Sequence, residues 1–159
     1  MKLLLVALAA LCPLAQGSDY FTRIEPAPAS EFWLASGFGT LHFNRDNGLN
    51  GRNVGIGAEY RLRGDVALTA GHFTNSDNEA STYAGALYQP FALGPVRLGA
   101  VIAAFNGYPH MRNGGWFPAL IPVATLEYNR FGVNFGVVPS YKDRLYGGIS
   151  VQLKVRLTD

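Results

Sequence analysis

Ile149-Ser150-Val151-Gln152-Leu153-Lys154-Val155-Arg156-Leu157 carries an apolar side chain at every odd position and a polar one at every even position. A pleated strand turns successive side chains to opposite faces, so this stretch describes one apolar and one polar face. A helix, which repeats about every 3.6 residues, would scatter both kinds around its axis. Residues 53–63 repeat the pattern, with Val54, Ile56, Ala58, Tyr60 and Leu62 set against Gly55, Gly57, Glu59, Arg61 and Arg63. Phe131, Val133, Phe135 and Val137 alternate with Gly132, Asn134 and Gly136 in a third copy. Less regular runs cover residues 33–43, 66–73, 83–91, 96–105 and 119–128. Together they make eight strands, each near the roughly 9–11 residues that a tilted strand needs to cross a bilayer.

The connections between these strands alternate in length. Tight turns fall at residues 63–65, 93–95 and 129–130, and longer polar or glycine-rich loops at 44–52, 74–82, 106–116 and 140–147. The combination predicts an all-β, eight-stranded antiparallel transmembrane barrel of the outer-membrane type, with its apolar face in lipid. Short turns in such barrels are periplasmic and long loops extracellular, so the four long loops share one rim and both termini belong to the periplasm. A soluble eight-stranded barrel that carries a ligand, as lipocalins do, would use the same alternation with the apolar face turned inward. Periodicity alone does not separate the two.

The first residues suit an exported protein. Lys2, the apolar run of residues 3–11 and Ala15-Gln16-Gly17 read as a secretory signal over residues 1–17, cut before Ser18. The run is too short to span a membrane as a helix. Cys12 is the only cysteine and lies within this leader, so the mature chain has no thiol for a disulfide, a nucleophile or a metal site. Residues 18–32, with Pro26 and Pro28, are expected to form a short periplasmic arm, an amphipathic turn on the membrane, and residues 33–159 the barrel. Nineteen glycines, ten phenylalanines and eight tyrosines suit strands and their rims, and a dispersed net charge of +2 argues against nucleic acid as a partner.

With the apolar faces outward, the inward charges gather by depth. Glu59, Arg61, Arg63, Arg97, Glu127, Lys154 and Arg156 all fall toward the short-turn end. Eight strands leave an interior that side chains fill, so these charges should pair into a plug and not line a pore. Nearer the long loops the inward positions Gly55, Gly57, Gly136 and Val138 carry no charge. They describe either a narrow well for an acyl chain or small residues that let a tight barrel close. Pro122 falls inside the strand at 119–128 and Pro139 at the outer end of the strand at 131–138, with Pro118 close by. Proline cannot donate to a ladder, so this seam should lack hydrogen bonds and could open sideways to lipid.

His42 ends the first strand at the long-loop rim, and Ser76 lies just beyond the third. These two strands run in the same direction, so both side chains reach one rim. An imidazole beside a hydroxyl can act as general base toward the serine or toward an acceptor alcohol. Asn75, Asp77 and Asp46 are the candidates to orient the ring.

Residues 116–124, Gly132-Val133-Asn134, Val138-Pro139 and residues 152–157 resemble the closing strands of PagP-type lipid A acyltransferases. Phe73-Thr74-Asn75-Ser76 followed by Tyr83-Ala84-Gly85 is similar to that family's second loop and fourth strand, and the similarity covers most of residues 34–157. The resemblance implies a monomeric outer-membrane enzyme without cofactor or metal that moves a palmitoyl-like chain from a phospholipid donor to lipid A. It implies His42, Ser76 and the position of Asn75 as catalytic residues, although the family has an aspartate where this chain has Asn75. It further implies Pro122 and Pro139 as the borders of a lateral lipid gate and Leu87 as the floor of the acyl pocket. A leucine there predicts a chain shorter than palmitate. Two other readings remain: a lipid A deacylase, because His72-Phe73-Thr74-Asn75-Ser76 is faintly similar to the PagL-type His-x-Ser-Asn signature, and a non-catalytic barrel that binds lipid or host ligands through its loops.

Overall fold

The computed structural model describes residues 20–44, 48–142 and 144–158. The leader, Cys12 and Asp46 lie outside the described residues. Nine strands follow one another: β1 (Phe21–Arg23), β2 (Pro28–His42), β3 (Arg52–Arg63), β4 (Val66–Thr74), β5 (Ala80–Leu93), β6 (Val96–Phe105), β7 (Phe117–Tyr128), β8 (Phe131–Val138) and β9 (Gly148–Arg156). Each strand from β2 to β8 pairs antiparallel with the next, and β9 returns to β2 from Trp33↔Arg156 to His42↔Gly148. The result is a closed eight-stranded barrel with no free edge around its waist. The only helical element among the described residues is a single 3₁₀ turn at Arg112–Gly114.

The arm ahead of the barrel differs from the expected amphipathic turn. The first barrel strand begins at Pro28, five residues before the expected boundary at residue 33. Ahead of it β1 adds to β5, pairing Phe21 with Leu93 and Arg23 with Phe91. The cause is a mismatch of lengths: β4 starts at Val66 opposite Tyr88, so β5 overruns it and leaves an unpaired edge for β1 to cover. The arm then passes over the β3–β4 turn, where Gly64 N–H donates to Ala27 O at 2.8 Å. A Cβ at Gly64 would lie 2.2 Å from Glu25 O, so only glycine admits this crossing.

Sidedness follows the alternation. Val54, Ile56, Leu68, Leu120 and Leu153 are exposed on the outer face, while Glu59, Arg61 and Lys154 are buried inside. A soluble ligand-carrying barrel has the opposite arrangement.

Toward the three tight turns the interior is a charged plug. Lys154 Nζ donates to both oxygens of Glu59 at 2.9 Å and lies 2.8 Å from Glu127, and Arg61 bridges Glu31, Glu59 and Glu127. Arg156 reaches Glu31 at 3.2 Å. Three carboxylates thus face three cations, which is how charges survive away from water. The ring of Trp33, 1 % exposed, sits among these cations with Lys154 Nζ 4.6 Å from its centroid. Two expected members stand apart: Arg63 pairs with Asp65, and Arg97 donates to Gly64 O. Above the plug, Gln89, Thr125, Asn134, Gln152 and Tyr83 form one chain of hydrogen bonds across the barrel.

Candidate active site

The four long loops share the rim opposite the plug, and the space beneath them is apolar on one side. Phe38, Phe73, Tyr83, Phe105 and Phe117 pack ring against ring with centroids 5.0–6.3 Å apart, edge-on or tilted among the first three and stacked from Tyr83 to Phe117. A cavity descends past them to Leu87, Val101 and Val123, with Thr40, Ser150, Asn134 and Gln152 along its other wall and Ser76, Asp77, Tyr108 and Tyr146 at its mouth. Of the small residues expected to leave space, Gly136 and Val138 line the cavity. Gly57 does not: a Cβ there would meet Tyr83 Oη at 2.5 Å, and one at Gly55 would meet Phe73 Cβ at 2.5 Å. Those glycines admit the rings and leave no well of their own. Leu87, 4 % exposed, is part of the deep lining.

His42 and Ser76 meet at the mouth, with Nε2 2.8 Å from Oγ. His42 is the last residue of β2, opposite Gly148 of β9. Ser76 is fixed through its backbone, since its carbonyl accepts from Asn50 N–H at 2.9 Å. Its own loop is a tight turn organised by Asn75. That amide oxygen accepts from the N–H groups of Asp77 and Glu79 at 2.9 and 3.0 Å, and its nitrogen donates to Gly107 O at 2.8 Å. Asn75 is fully buried and its side chain is engaged by backbone, so it shapes the loop and does not touch the imidazole.

The carboxylate that acts on the imidazole electrostatically is Asp77, on the other side of Ser76. Burial raises its pKa above the ordinary carboxylate value, although the nearby His110 and His42 pull the other way. Tyr108, packed edge-on against Phe117 and facing the same carboxylate, is pushed well above its ordinary value by burial. Neither Tyr108 nor Tyr146 was singled out from the sequence, because loop aromatics carry no periodicity. His72 is not part of this group: it faces outward and bonds Thr82 Oγ1 at 2.9 Å.

Exchanging Asn75 for aspartate tests this geometry. An aspartate oxygen would face Gly107 O where the amide now donates, two acceptors with no proton between them in a fully buried site. Asn75→Asp should therefore destabilise the rim by about 1–3 kcal/mol, read as a lower unfolding midpoint, and should not raise activity. A variant with unchanged midpoint and higher activity would return position 75 to the imidazole.

The seam between β7 and β8 is incomplete. The ladder runs from Tyr128↔Phe131 only to Val123↔Gly136, while β7 continues to Phe117 paired with β6 alone and β8 continues to Val138 paired with β9 alone. Pro122 is the first β7 residue beyond the ladder. Pro118 and Pro122 are four residues apart, so the N–H that each lacks would point to the same side of the strand. Pro139 follows the end of β8 and is exposed. The outer half of this seam gives the cavity a lateral wall without main-chain closure.

No protein-family model matches the chain, and a search of curated proteins found no match to it.

Proposed function

We propose that the protein is an outer-membrane acyltransferase that takes a fatty acyl chain from a phospholipid and esterifies a hydroxyl of lipid A. The observation that carries the proposal is the 2.8 Å contact between His42 and Ser76 at the mouth of an apolar cavity whose side wall is an unpaired seam. The resemblance of residues 34–157 to PagP-type enzymes supports the same reading.

Membrane insertion is the first element of the proposal. Leucine, valine and isoleucine cover the outer face, and large aromatics mark its two ends: Tyr20, Phe21, Tyr128 and Phe131 at the tight turns, Phe43, Trp116 and Tyr141 at the long loops. Such girdles sit at bilayer interfaces. A charge in the belt should then be costly. Leu153→Arg, at an exposed position on β9, should destabilise the inserted barrel by roughly 2–4 kcal/mol if it lies at mid-depth, seen as loss of the heat-modifiable band from outer-membrane fractions. Normal recovery of this variant, or a wild type found soluble in the periplasm, would remove the membrane reading.

The chemistry follows from the pair. His42 Nε2 accepts the proton of a hydroxyl, either that of Ser76 or that of an acceptor alcohol held beside it, as that oxygen attacks the donor ester. Asp77 stabilises the imidazolium that forms, and the proton passes to the leaving glycerol oxygen. Where Ser76 is the attacking oxygen, the acceptor hydroxyl then attacks the acyl-serine ester, and its proton returns through His42 to the leaving Ser76 Oγ. The acyl chain lies in the cavity. On β7 the lining runs from Phe117 to Val123, about 20 Å along a tilted strand and about 15 Å along the barrel, room for a chain of roughly a dozen carbons. Leu87→Ala should lengthen the preferred chain by about two carbons, the space a leucine gives up on becoming alanine. Donors of graded chain length measure this.

The deciding experiment is mass spectrometry of lipid A from cells with and without the protein. A gain of one acyl mass supports transfer, a loss supports a deacylase, and no change favours a non-catalytic barrel.

A further inference from the structure

Two loops flank the outer end of the open seam, and each carries a net positive charge, the second with Asp143 between its two cations. Residues 106–116 lead into β7 and carry Arg112; residues 139–147 follow β8 and carry Lys142 and Arg144. All three side chains are exposed, and none makes an ion pair among the described residues. Arg112 donates to the backbone carbonyl of Trp116 at 3.3 Å, and Lys142 Nζ stands 5.7 Å over the Tyr141 ring. Arg112 and Lys142 also hold left-handed backbone, with φ of 48° and 50°. Non-glycine residues adopt that region rarely, and here it occurs at one cation of each loop and at Asn113 beside Arg112.

We infer that these loops form a clamp for the phosphodiester of an anionic phospholipid whose acyl chain enters the barrel through the β7–β8 seam. The inference rests on the lipid-entry reading of the seam proposed above. Its ligand is set by complementarity: an apolar slot for the chain lies directly beneath unpaired cations on both banks, and a phospholipid carries its negative charge one glycerol away from its chains. The entering lipid is preferred to the acceptor because the cations flank the slot itself. A headgroup held there belongs to the molecule whose chain passes through. Guanidinium and ammonium groups suit phosphate oxygens well.

Trp116, 49 % exposed at this mouth, offers a direct readout, since the other tryptophan, Trp33, is enclosed in the plug. The full barrel in neutral sugar-detergent micelles would be titrated with lysophosphatidylglycerol bearing a brominated chain, and with monoacylglycerol bearing the same chain. Quenching of Trp116 should saturate at about tenfold lower concentration for the anionic lipid, and 0.5 M salt should erase the difference, as screening of exposed charges requires. The triple variant Arg112→Gln, Lys142→Gln, Arg144→Gln should lose the preference, whereas Arg52→Gln, at the start of β3 away from the seam, should keep it. The changes lie in exposed loops, and heat-modifiable migration checks that each barrel is folded.

Equal titration by the two lipids, or an unchanged triple variant, overturns the clamp. Inorganic phosphate that displaces the lipid at equal concentration overturns it in favour of a free-phosphate site. A bisphosphorylated glycolipid that displaces it more strongly than phospholipid assigns the loops to the acceptor and overturns the choice of ligand. Repeating the titration in Ser76→Ala separates this from catalysis: the binding preference should persist there, and a wild-type protein that shows the preference but transfers no acyl chain fails the transferase reading alone.

Discussion

His42→Ala and Ser76→Ala should each lower acyl transfer by on the order of 10²–10⁴-fold, and the double variant should lose little more than either. The reason is geometric. Nε2 and Oγ are 2.8 Å apart and share one proton, so removing either partner removes the same step. Independent contributions would instead multiply. Neither side chain belongs to the aromatic stack or the charged plug, so all three variants should unfold at the midpoint of the parent. The measurement is turnover of labelled phospholipid in micelles with lipid A as acceptor, with folding followed in parallel. Full activity in Ser76→Ala would remove that hydroxyl from the mechanism and leave His42 to act on the acceptor directly. Strictly multiplicative losses would mean that the contact is incidental. Asp77→Asn supplies the graded comparison: it keeps the shape of the loop and takes away the charge that steadies the imidazolium, so its loss should fall between the parent and His42→Ala.

The barrel was legible because its determinant is local. Alternation along residues 53–63, 131–137 and 149–157 needs no knowledge of partners, and the three tight turns punctuate it at the observed places. Which face points outward was not legible from period alone, and the buried Glu59, Arg61 and Lys154 decide it. The arm was misread because its pairing depends on β5 overrunning β4, a difference in strand length that no pattern within residues 18–32 can express. Glu31 and Trp33 were missed as members of the plug for the same reason: their partners Arg61, Lys154 and Arg156 are distant in sequence and come together only on closure. At the rim, the direction of the strands brought His42 and Ser76 to the same end. It could not reveal that Asn75 turns away. That depends on the Gly107 carbonyl, offered by a different loop. Prolines in the seam were readable because a missing N–H is a property of the residue itself. The cavity was half readable, since Gly136 opens it while Gly57 is taken up by Tyr83, and small residues on a face do not say which neighbour fills the space.

Lys154→Met should be among the most destabilising single changes in the barrel, by about 3–5 kcal/mol. The lysine side chain has no exposure, and its ammonium contacts Glu59, Glu127 and the face of Trp33. Methionine replaces the lysine stem as far as Cε and would keep most of the packing, so the loss chiefly reports the charge. Three carboxylates would then face only Arg61 and Arg156, and one of them would remain buried without compensation. Removing the charge from both sides should repair this. Lys154→Met with Glu59→Gln leaves two carboxylates against two cations, and its denaturant midpoint should recover most of the distance to the parent. The comparison distinguishes a plug held by charge balance from one held by shape. If balance governs, the double variant is more stable than Lys154→Met alone. If shape governs, the second substitution lowers the midpoint further, because it also removes the carboxylate that receives Arg61 at 3.4 Å. The outer site gives a second readout of the same distinction. Its His42–Ser76 pair is at the far end of the barrel, so a weakened plug should lower thermal stability while acyl transfer per folded molecule stays close to that of the parent.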